Sequence, residues 1–399
     1  MNILQIVLLV LLSALAVPIA VLFMQIIAAL FYRNTNKNTK HHALTANTNN
    51  LSIAVLIPAH NESLGISKTL SSILPQLKKT DQLIVVADNC TDNTAAIAQQ
   101  LGATAVVRFN DLQRGKGYAL DFGMQYLKNN PPQIVIIIDA DCTISPNFIA
   151  EIAYACQHYQ TPIQALDLMV SPINASLKTK IAEFAWLVKN KVRPLGYKKL
   201  GLPCQLMGTG MAFLWADIVN MPLNNGHIAE DMMLGVNLCR VNKAALFLPE
   251  AMVSSEFPSS QAAERTQRTR WEHGHLSVIL SEAPGLFLNA LKTKNLQMLG
   301  LSLDLIVPPL AILALMSAFL LIFVLFVHQF SPMAGLVLYA ALTVAVLVLS
   351  ILIAWTFFGR HIISFKQLCY APIYALVKIP LYVKFVVSRQ VEWVRSKRD

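Results

Sequence analysis

Charged side chains are scarce in this 399-residue chain. They make up 14% of it, against 55% hydrophobic residues, and the mean hydropathy is +0.51. A soluble globular domain carries about 25% charged residues, so an ordinary soluble fold is excluded and part of the chain is expected in a bilayer. The six cysteines, Cys90, Cys142, Cys156, Cys204, Cys239 and Cys369, lack any paired spacing that would suit zinc or a redox couple. Five of them fall in the part expected in the cytosol, where thiols stay reduced, and are read as plain buried or surface thiols. No internal repeat is present. The net charge of +10 lacks the single basic patch with interleaved aromatics that nucleic acid requires, so nucleic acid is excluded as a partner.

The basic residues instead flank apolar stretches: Arg33, Lys37 and Lys40; Arg360 and Lys366; Lys384, Arg389, Arg395, Lys397 and Arg398. That is the positive-inside pattern, with attraction to anionic headgroups. Met1 to Tyr32 carries no charge and is long enough to cross a bilayer as a helix. It lacks the positive n-region of a cleaved signal peptide and is too long for one. Residues 1–32 are therefore read as a permanent anchor and 33–50 as a linker. Residues 51–275 form a catalytic domain, 276–304 interfacial helices, and 305–358 two further spans, about Leu305–Val327 and Pro332–Phe358. The turn "HQFSP" between those spans has no Lys or Arg and faces outward. In 359–399, the stretch Ile373–Val394 gathers Lys378, Lys384, Ser388, Arg389, Glu392 and Arg395 on one side of a helix, although Leu381 and Phe385 intrude. A spanning helix would bury Lys378 and Lys384 in hydrocarbon, so an interfacial helix with a basic cytosolic tail is expected. The whole predicts a multi-pass protein of the inner (cytoplasmic) membrane.

Between the anchors the pattern is α/β. "LSIAVLIPA", "DQLIVVAD" and "QIVIIIDAD" are apolar, β-branched runs suited to buried parallel strands. "DNTAAIAQQLG" reads as a helix with Asp92 as N-cap and Gly102 at its end. Ligands of such sheets bind beyond the carboxyl ends of the strands, where Asp88, Asp139 and Asp141 stand.

The chemistry-bearing residues follow in order. Asp139 and Asp141 can turn toward one ligand and offer the oxygens that a divalent cation shares with a diphosphate; such pairs also serve as caps and turn formers. Asp88 can accept from a nucleobase or ribose. Arg114-Gly115-Lys116-Gly117 offers cations on flexible backbone, as a phosphate clamp or a solvated loop. The glycines of Gly208-Thr209-Gly210 admit a ligand close to the backbone. Glu230-Asp231 opens a helix, either as a partner of its dipole or, for one of them, as the base for an acceptor hydroxyl. Gln267-Arg268-Thr269-Arg270-Trp271 precedes the membrane helices; Arg270 can hold diphosphate, and Trp271 can stack on a sugar or anchor at the headgroups.

The order Asp, Asp-x-Asp, Glu-Asp, Gln-x-x-Arg-Trp between membrane anchors resembles the family 2 glycosyltransferases. The likeness is to the membrane branch that includes hyaluronan, chitin and cellulose synthases and ceramide glucosyltransferase, and it runs from about Ser52 to His275. "IPAHNE" (Ile57–Glu62) looks like that family's first strand and nucleotide loop, and "YVKFVVSRQVEWVRSKRD" like bacterial exopolysaccharide transferases. The resemblance implies a GT-A fold, a Rossmann-like mixed sheet, and a metal-dependent inverting hexosyltransferase. It implies that Asp88 and Pro58, Ala59, Asn61 and Glu62 contact the nucleotide, with Lys116 on the donor. Asp139 and Asp141 would serve donor and metal (Mg2+ or Mn2+), and Asp231 would be the base. Gly208, Thr209, Gly210, Glu230, Gln267, Arg270 and Trp271 would line the diphosphate and acceptor side. The family usually has Thr-Glu-Asp where this chain has Ala229-Glu230-Asp231, which leaves the base intact and alters the acceptor contacts beside it.

The expected partners are a nucleotide-sugar, most commonly a UDP-sugar in the family, a lipid-linked or glycan acceptor, membrane lipids, and polysaccharide export or assembly proteins. Three spans are few for a polymer channel, so single transfer to a lipid-linked acceptor is favoured over a processive synthase. A catalytically silent membrane subunit and a nucleotidyltransferase are the other readings.

Overall fold

The computed structural model describes residues 2–33, 50–224, 226–258 and 261–387, without the side chains of 261–265. The linker residues 34–49, with Lys37 and Lys40, and the tail with Arg389, Arg395, Lys397 and Arg398 lie outside the described residues.

Among the described residues, eight strands form one sheet: β1 (Ile53–Ala59), β2 (Gln82–Asp88), β3 (Thr104–Arg108), β4 (Ile134–Ile137), β5 (Thr143–Ile144), β6 (Ile163–Val170), β7 (Met211–Leu214) and β8 (Leu246–Glu256). Their order is β3-β2-β1-β4-β7-β6-β8-β5. Strands β1 to β4 run parallel. β7 opposes both β4 and β6, while β8 runs with β6 and against β5. Alternate residues of a strand point to opposite faces. Thus Ala54, Leu56, Ile84, Val86, Val135 and Ile137 enter one core, and Ile53, Val55, Ile57, Leu83, Val85, Ile134 and Ile136 enter the other. Burial on both faces is why these strands read as unbroken apolar runs. The helices between them are α2 (Ile66–Ile73), α3 (Thr94–Gln100), α4 (Lys116–Leu127) and α5 (Phe148–Tyr159), which follow the N-terminal α1 (Ile3–Leu30). α4 covers the first core; α2 and α5 cover the second. The loops after Ala59, Asp88 and Ile137 therefore leave one edge of the sheet together.

Beyond β6 come α6 (Leu177–Leu187), a π-helical turn (Val188–Val192) and α7 (Arg193–Lys199). After β7 come α8 (Glu230–Arg240), then α9 (Gln261–Thr293), α10 (Leu296–Leu305), α11 (Leu310–His328) and α12 (Ala334–Ala354). The boundary expected after His275 falls inside α9, which runs unbroken through Gly274. A Cβ at Gly274 would sit 3.2 Å from Ala229 Cβ, so this glycine serves a close helix contact and not a break.

Among the described residues, four helical stretches are long and apolar enough to cross a membrane: Ile3–Leu30, Leu310–His328, Ala334–Gly359 and Phe365–Val387. The first and third overlap stretches expected to span; the second begins at Leu310 and not at the expected Leu305, which ends α10, because Pro308 and Pro309 separate the two helices. The fourth is three short helices, α13 (Phe365–Leu368), α14 (Ala371–Val377) and α15 (Ile379–Val387). It begins at Phe365, ahead of the expected Ile373, and lies against α9. Lys378 is ion-paired with Glu272, Arg268 and Lys378 lie 5.4 and 5.1 Å from the Tyr374 ring, and His273 Nε2 is 3.0 Å from the Leu381 carbonyl.

The N-terminal helix is fastened to the catalytic domain by a buried polar cluster. Gln25 Nε2 donates to Asp304 Oδ1 (2.6 Å). Arg193 donates to Gln25 Oε1 (3.1 Å), to the Asp304 carbonyl (2.7 Å) and to Asp304 Oδ1 (2.8 Å). Gln205 Nε2 donates to Asp304 Oδ2 (2.8 Å). Gly196 makes the approach of α7 to α1 possible, because a Cβ there would lie 1.9 Å from the Gln25 carbonyl oxygen. Gly196→Ala forces two packed backbones apart, and overpacking of this kind costs about 1–3 kcal/mol. Thermal unfolding of the purified variant is expected at a lower midpoint; an unchanged midpoint would mean that α1 contributes little to the stability of the catalytic domain.

Candidate active site

On one flank, the loops after β1 and β2 interlock. His60 Nδ1 donates to the Asp88 carbonyl (2.7 Å). The Thr91 amide donates to Asn61 Oδ1 (2.7 Å), and the Glu62 amide to Thr94 Oγ1 (2.8 Å). Asn61 and Asn89 adopt left-handed φ of 55° and 49°, a conformation asparagine tolerates better than most residues. Asp92 is not the helix cap expected; Asn93 holds that position. Its carboxylate instead accepts from the Thr94 amide (3.0 Å) and the Ser63 amide (3.1 Å). Burial alone would raise the Asp92 pKa, but the Thr94 and Ser63 donors outweigh it and bring it down to about 2. Asp92 thus pins the two loops together.

Asp88 is buried and accepts from Arg108 Nη1 (2.5 Å). The two residues are direct neighbours in the β2–β3 register, and Arg108 also lies 5.7 Å from the Tyr118 ring. The expected nucleotide-binding carboxylate is therefore fixed from behind by a cation that sequence reading missed. Only strand pairing reveals it.

At the centre, residues far apart in sequence converge. The chain leaves β4 after Ile137, and Asp139 is ion-paired with Lys116, the first residue of α4. Lys116 Nζ also donates to the Gly208 carbonyl (2.8 Å). Gly208 has φ +92°, and a Cβ there would lie 3.4 Å from Asp231 Oδ2 and 3.5 Å from Lys116 Nζ. The position thus favours glycine for its backbone, and a Cβ there would only touch the two charges beside it. The Asp139 amide donates to Thr209 Oγ1 (3.1 Å). Gly210 shapes the turn and is backed by Val253. Glu230 and Asp231 form the first turn of α8.

Burial opposes the charge of Lys116, but Asp139, Glu230 and Asp231 outweigh it and hold its proton above the usual lysine range. Burial, and for Glu230 the adjacent Asp231, push both carboxyls above the usual carboxylate range against the pull of Lys116.

A further carboxyl stands outside the motifs of the sequence. Asp167 on β6 is buried, with Oδ2 accepting from Asn190 Nδ2 (2.9 Å). Burial and the nearby Asp139 and Asp141 raise its pKa to about 8. The signal available was one aspartate inside the apolar run "IQALDLMV".

The expected metal ligands Asp139 and Asp141 stand in the turn after β4. Among the described residues, no three His, Cys, Asp or Glu side chains gather closely enough to hold a metal. Two half-buried carboxylates do fit an ion that takes its other ligands from diphosphate oxygens and water, as Mg2+ commonly does.

On the other flank, α9 carries Gln267, Arg270 and Trp271. Gln267 is buried. The charge of Arg270 acts on Glu230 and favours its ionised form. Trp271 packs on Trp186, ring centroids 4.9 Å apart, and Lys189 Nζ lies 5.4 Å from the Trp186 ring. Burial and the nearby cations Lys189 and Arg193 keep His275 neutral, well below the usual histidine range.

A sequence profile described as "Glycosyl transferase family 2" matches residues 54–201. One described as "Glycosyl transferase family group 2" matches residues 134–358, more than half the chain. A 4,4'-diaponeurosporenoate glycosyltransferase of Staphylococcus aureus (strain bovine RF122 / ET3-1) is 35% identical over 111 residues, 27% of this chain and 28% of the relative. The chain thus aligns with little more than a quarter of the length of that relative. Among solved structures, the mannosyltransferase PcManGT from Pyrobaculum calidifontis, in complex with GDP-Man and Mn2+, superposes with a TM-score of 0.51. The overlap covers 94% of this chain and 100% of that one at 14% identity, a likeness of fold. The mixed sheet with its flanking helices is the GT-A architecture expected.

Proposed function

Because the chain belongs to glycosyl transferase family 2, we propose that it moves a sugar from a nucleotide-sugar, with UDP the first candidate nucleotide, to a lipid-linked or glycolipid acceptor. The transfer takes place at the cytosolic face of the inner membrane, in polysaccharide or glycolipid assembly. The observation that carries this reading is the meeting of Lys116, Asp139, Gly208 and Asp231 in a chain with helices apolar enough to span a bilayer. The loops after β1 and β2, with Asp88, receive the nucleotide. Lys116 and Arg270 face the diphosphate. Asp231 takes the proton of the acceptor hydroxyl. The oxygen then attacks the anomeric carbon from the face opposite the nucleotide, and the bond to the diphosphate breaks with its electron pair leaving on the phosphate oxygen. Mg2+ or Mn2+, held by Asp139 and Asp141, would neutralise charge on that leaving group. A single displacement inverts the anomeric centre.

The test is nucleotide release by lipid-reconstituted protein across UDP- and GDP-sugars, with Mg2+ or Mn2+ and an extracted lipid acceptor, followed by anomeric analysis of the product. Release from one donor with a β-linked product from an α-linked donor is expected. A retained configuration would overturn the mechanism, a ladder of long chains would favour a polymer synthase, and no release from any donor would favour a catalytically silent subunit.

A further inference from the structure

A cavity of about 590 Å3 lies among α6, α9, α11 and α12. It is lined by Trp186, Lys189 and Trp271, by residues of α11 and α12, among them Ala314 and Leu347, and by Tyr374 of α14. The volume falls within the range of about 300–1,000 Å3 of pockets that enclose one small ligand. Walls drawn from two candidate spans suit a hydrocarbon chain.

The cations on these walls differ. Arg193 is committed to Asp304 and Lys378 to Glu272, and Arg268 lies over Tyr374. Lys189, within the π-helical turn, makes no ion pair among the described residues and contacts the face of Trp186. It lines the cavity; burial lowers its pKa, and the charge of Asp231 opposes that. The cavity adjoins the start of α8, because Gly274, between the cavity-lining Trp271 and His275, packs against Ala229, two residues before Asp231. An anion held there sits between the acceptor's chain and its reacting hydroxyl, and must stay charged while bonded on both sides. A carboxylate esterified to its head loses its charge; a phosphate linking two groups keeps it.

We propose that the cavity holds the single apolar chain of the acceptor and that Lys189 binds a phosphate joining this chain to the hydroxyl-bearing head. The inference rests on the glycosyl-transfer reading above and names its acceptor class. Lys189 is a positioning and specificity residue, and the paired Trp186 and Trp271 form the wall against which the head lies.

The test is native mass spectrometry of the full chain in detergent with farnesyl phosphate, farnesol, farnesoic acid and phosphatidylglycerol, each at the same concentration. The wild type is expected to retain farnesyl phosphate roughly tenfold better than farnesol, the scale of a hydrogen bond to a charged group. Lys189→Gln is expected to lose that preference and Lys189→Arg to keep it. Ala314→Trp, which fills the cavity, is expected to retain neither farnesyl lipid, with binding of UDP or GDP measured alongside as the check on folding. Equal retention of phosphate and alcohol, equal retention of farnesoic acid, preference for the two-chain lipid, or undiminished retention by nucleotide-binding Ala314→Trp would each overturn the proposal. The donor-release assay is independent: selective lipid retention without release from any donor sinks the transferase reading, and transfer to a water-soluble acceptor without lipid retention sinks this one.

Discussion

Asp231→Asn is expected to abolish sugar transfer while leaving nucleotide binding close to that of the wild type. The amide keeps the size of the carboxyl and its place beside Gly208, but it cannot take a proton. Loss of a general base costs roughly 10²–10⁴-fold in rate. The measurement is nucleotide release under saturating donor, with nucleotide affinity determined separately. The wild-type pH profile belongs to the same prediction. Burial holds Asp231 above the usual aspartate range, so the base is progressively protonated, and inactive, as pH falls through that raised value. The acid limb of the rate is therefore expected above the range of an ordinary carboxylate, with full activity on its alkaline side. An Asp231→Asn enzyme that retained a tenth of the activity, or an unchanged acid limb in that variant, would assign the base elsewhere; Glu230, on the same helical turn, would be the next residue to replace.

The second large effect is structural. Arg193→Met leaves Asp304 buried with its charge uncompensated, along with two glutamines arranged around an ion pair that no longer exists. Removing one partner of a buried pair costs about 3–5 kcal/mol. Either Arg193→Met or Asp304→Leu alone is expected to lower the unfolding midpoint strongly, and α1 is expected to come away from the catalytic domain. The double variant should recover much of the loss, because two apolar side chains replace the pair without leaving a buried charge. Limited proteolysis of the three variants alongside calorimetry would check this. Additive losses in the double variant would mean that Arg193 and Asp304 act independently.

The strands were legible because a strand buried on both faces must be apolar along its length, and three such runs, two of them ending in acidic residues, mark one edge of a parallel sheet. The position of Glu230 and Asp231 was legible for a similar local reason, since a helix start favours carboxylates. Helix α9 was less so: the motif Gln267–Trp271 and the stretch after it are one element, and nothing in the sequence sets its length. Asp92 shows the limit of local rules. Its carboxylate does bond the Thr94 amide as a cap would, yet its second oxygen reaches Ser63 in another loop, a contact that no sequence spacing reports.

By itself, the sequence determined the family, the class of sheet, the apolar helices and the residue types available for catalysis, because these depend on composition, periodicity and the order of short motifs along the chain. The tertiary structure alone decided who meets whom. Arg108 stands behind Asp88 because of strand register; Lys116 reaches Gly208, 92 residues away; Gln25 reaches Asp304 across 279 residues; and Lys189 faces a cavity walled by helices more than a hundred residues downstream. A hydrophobic pattern records that a side chain is buried and on which face. The identity of the group it meets is fixed only when distant elements pack together, and in this protein that packing assembles both the charged centre and the apolar space beside it.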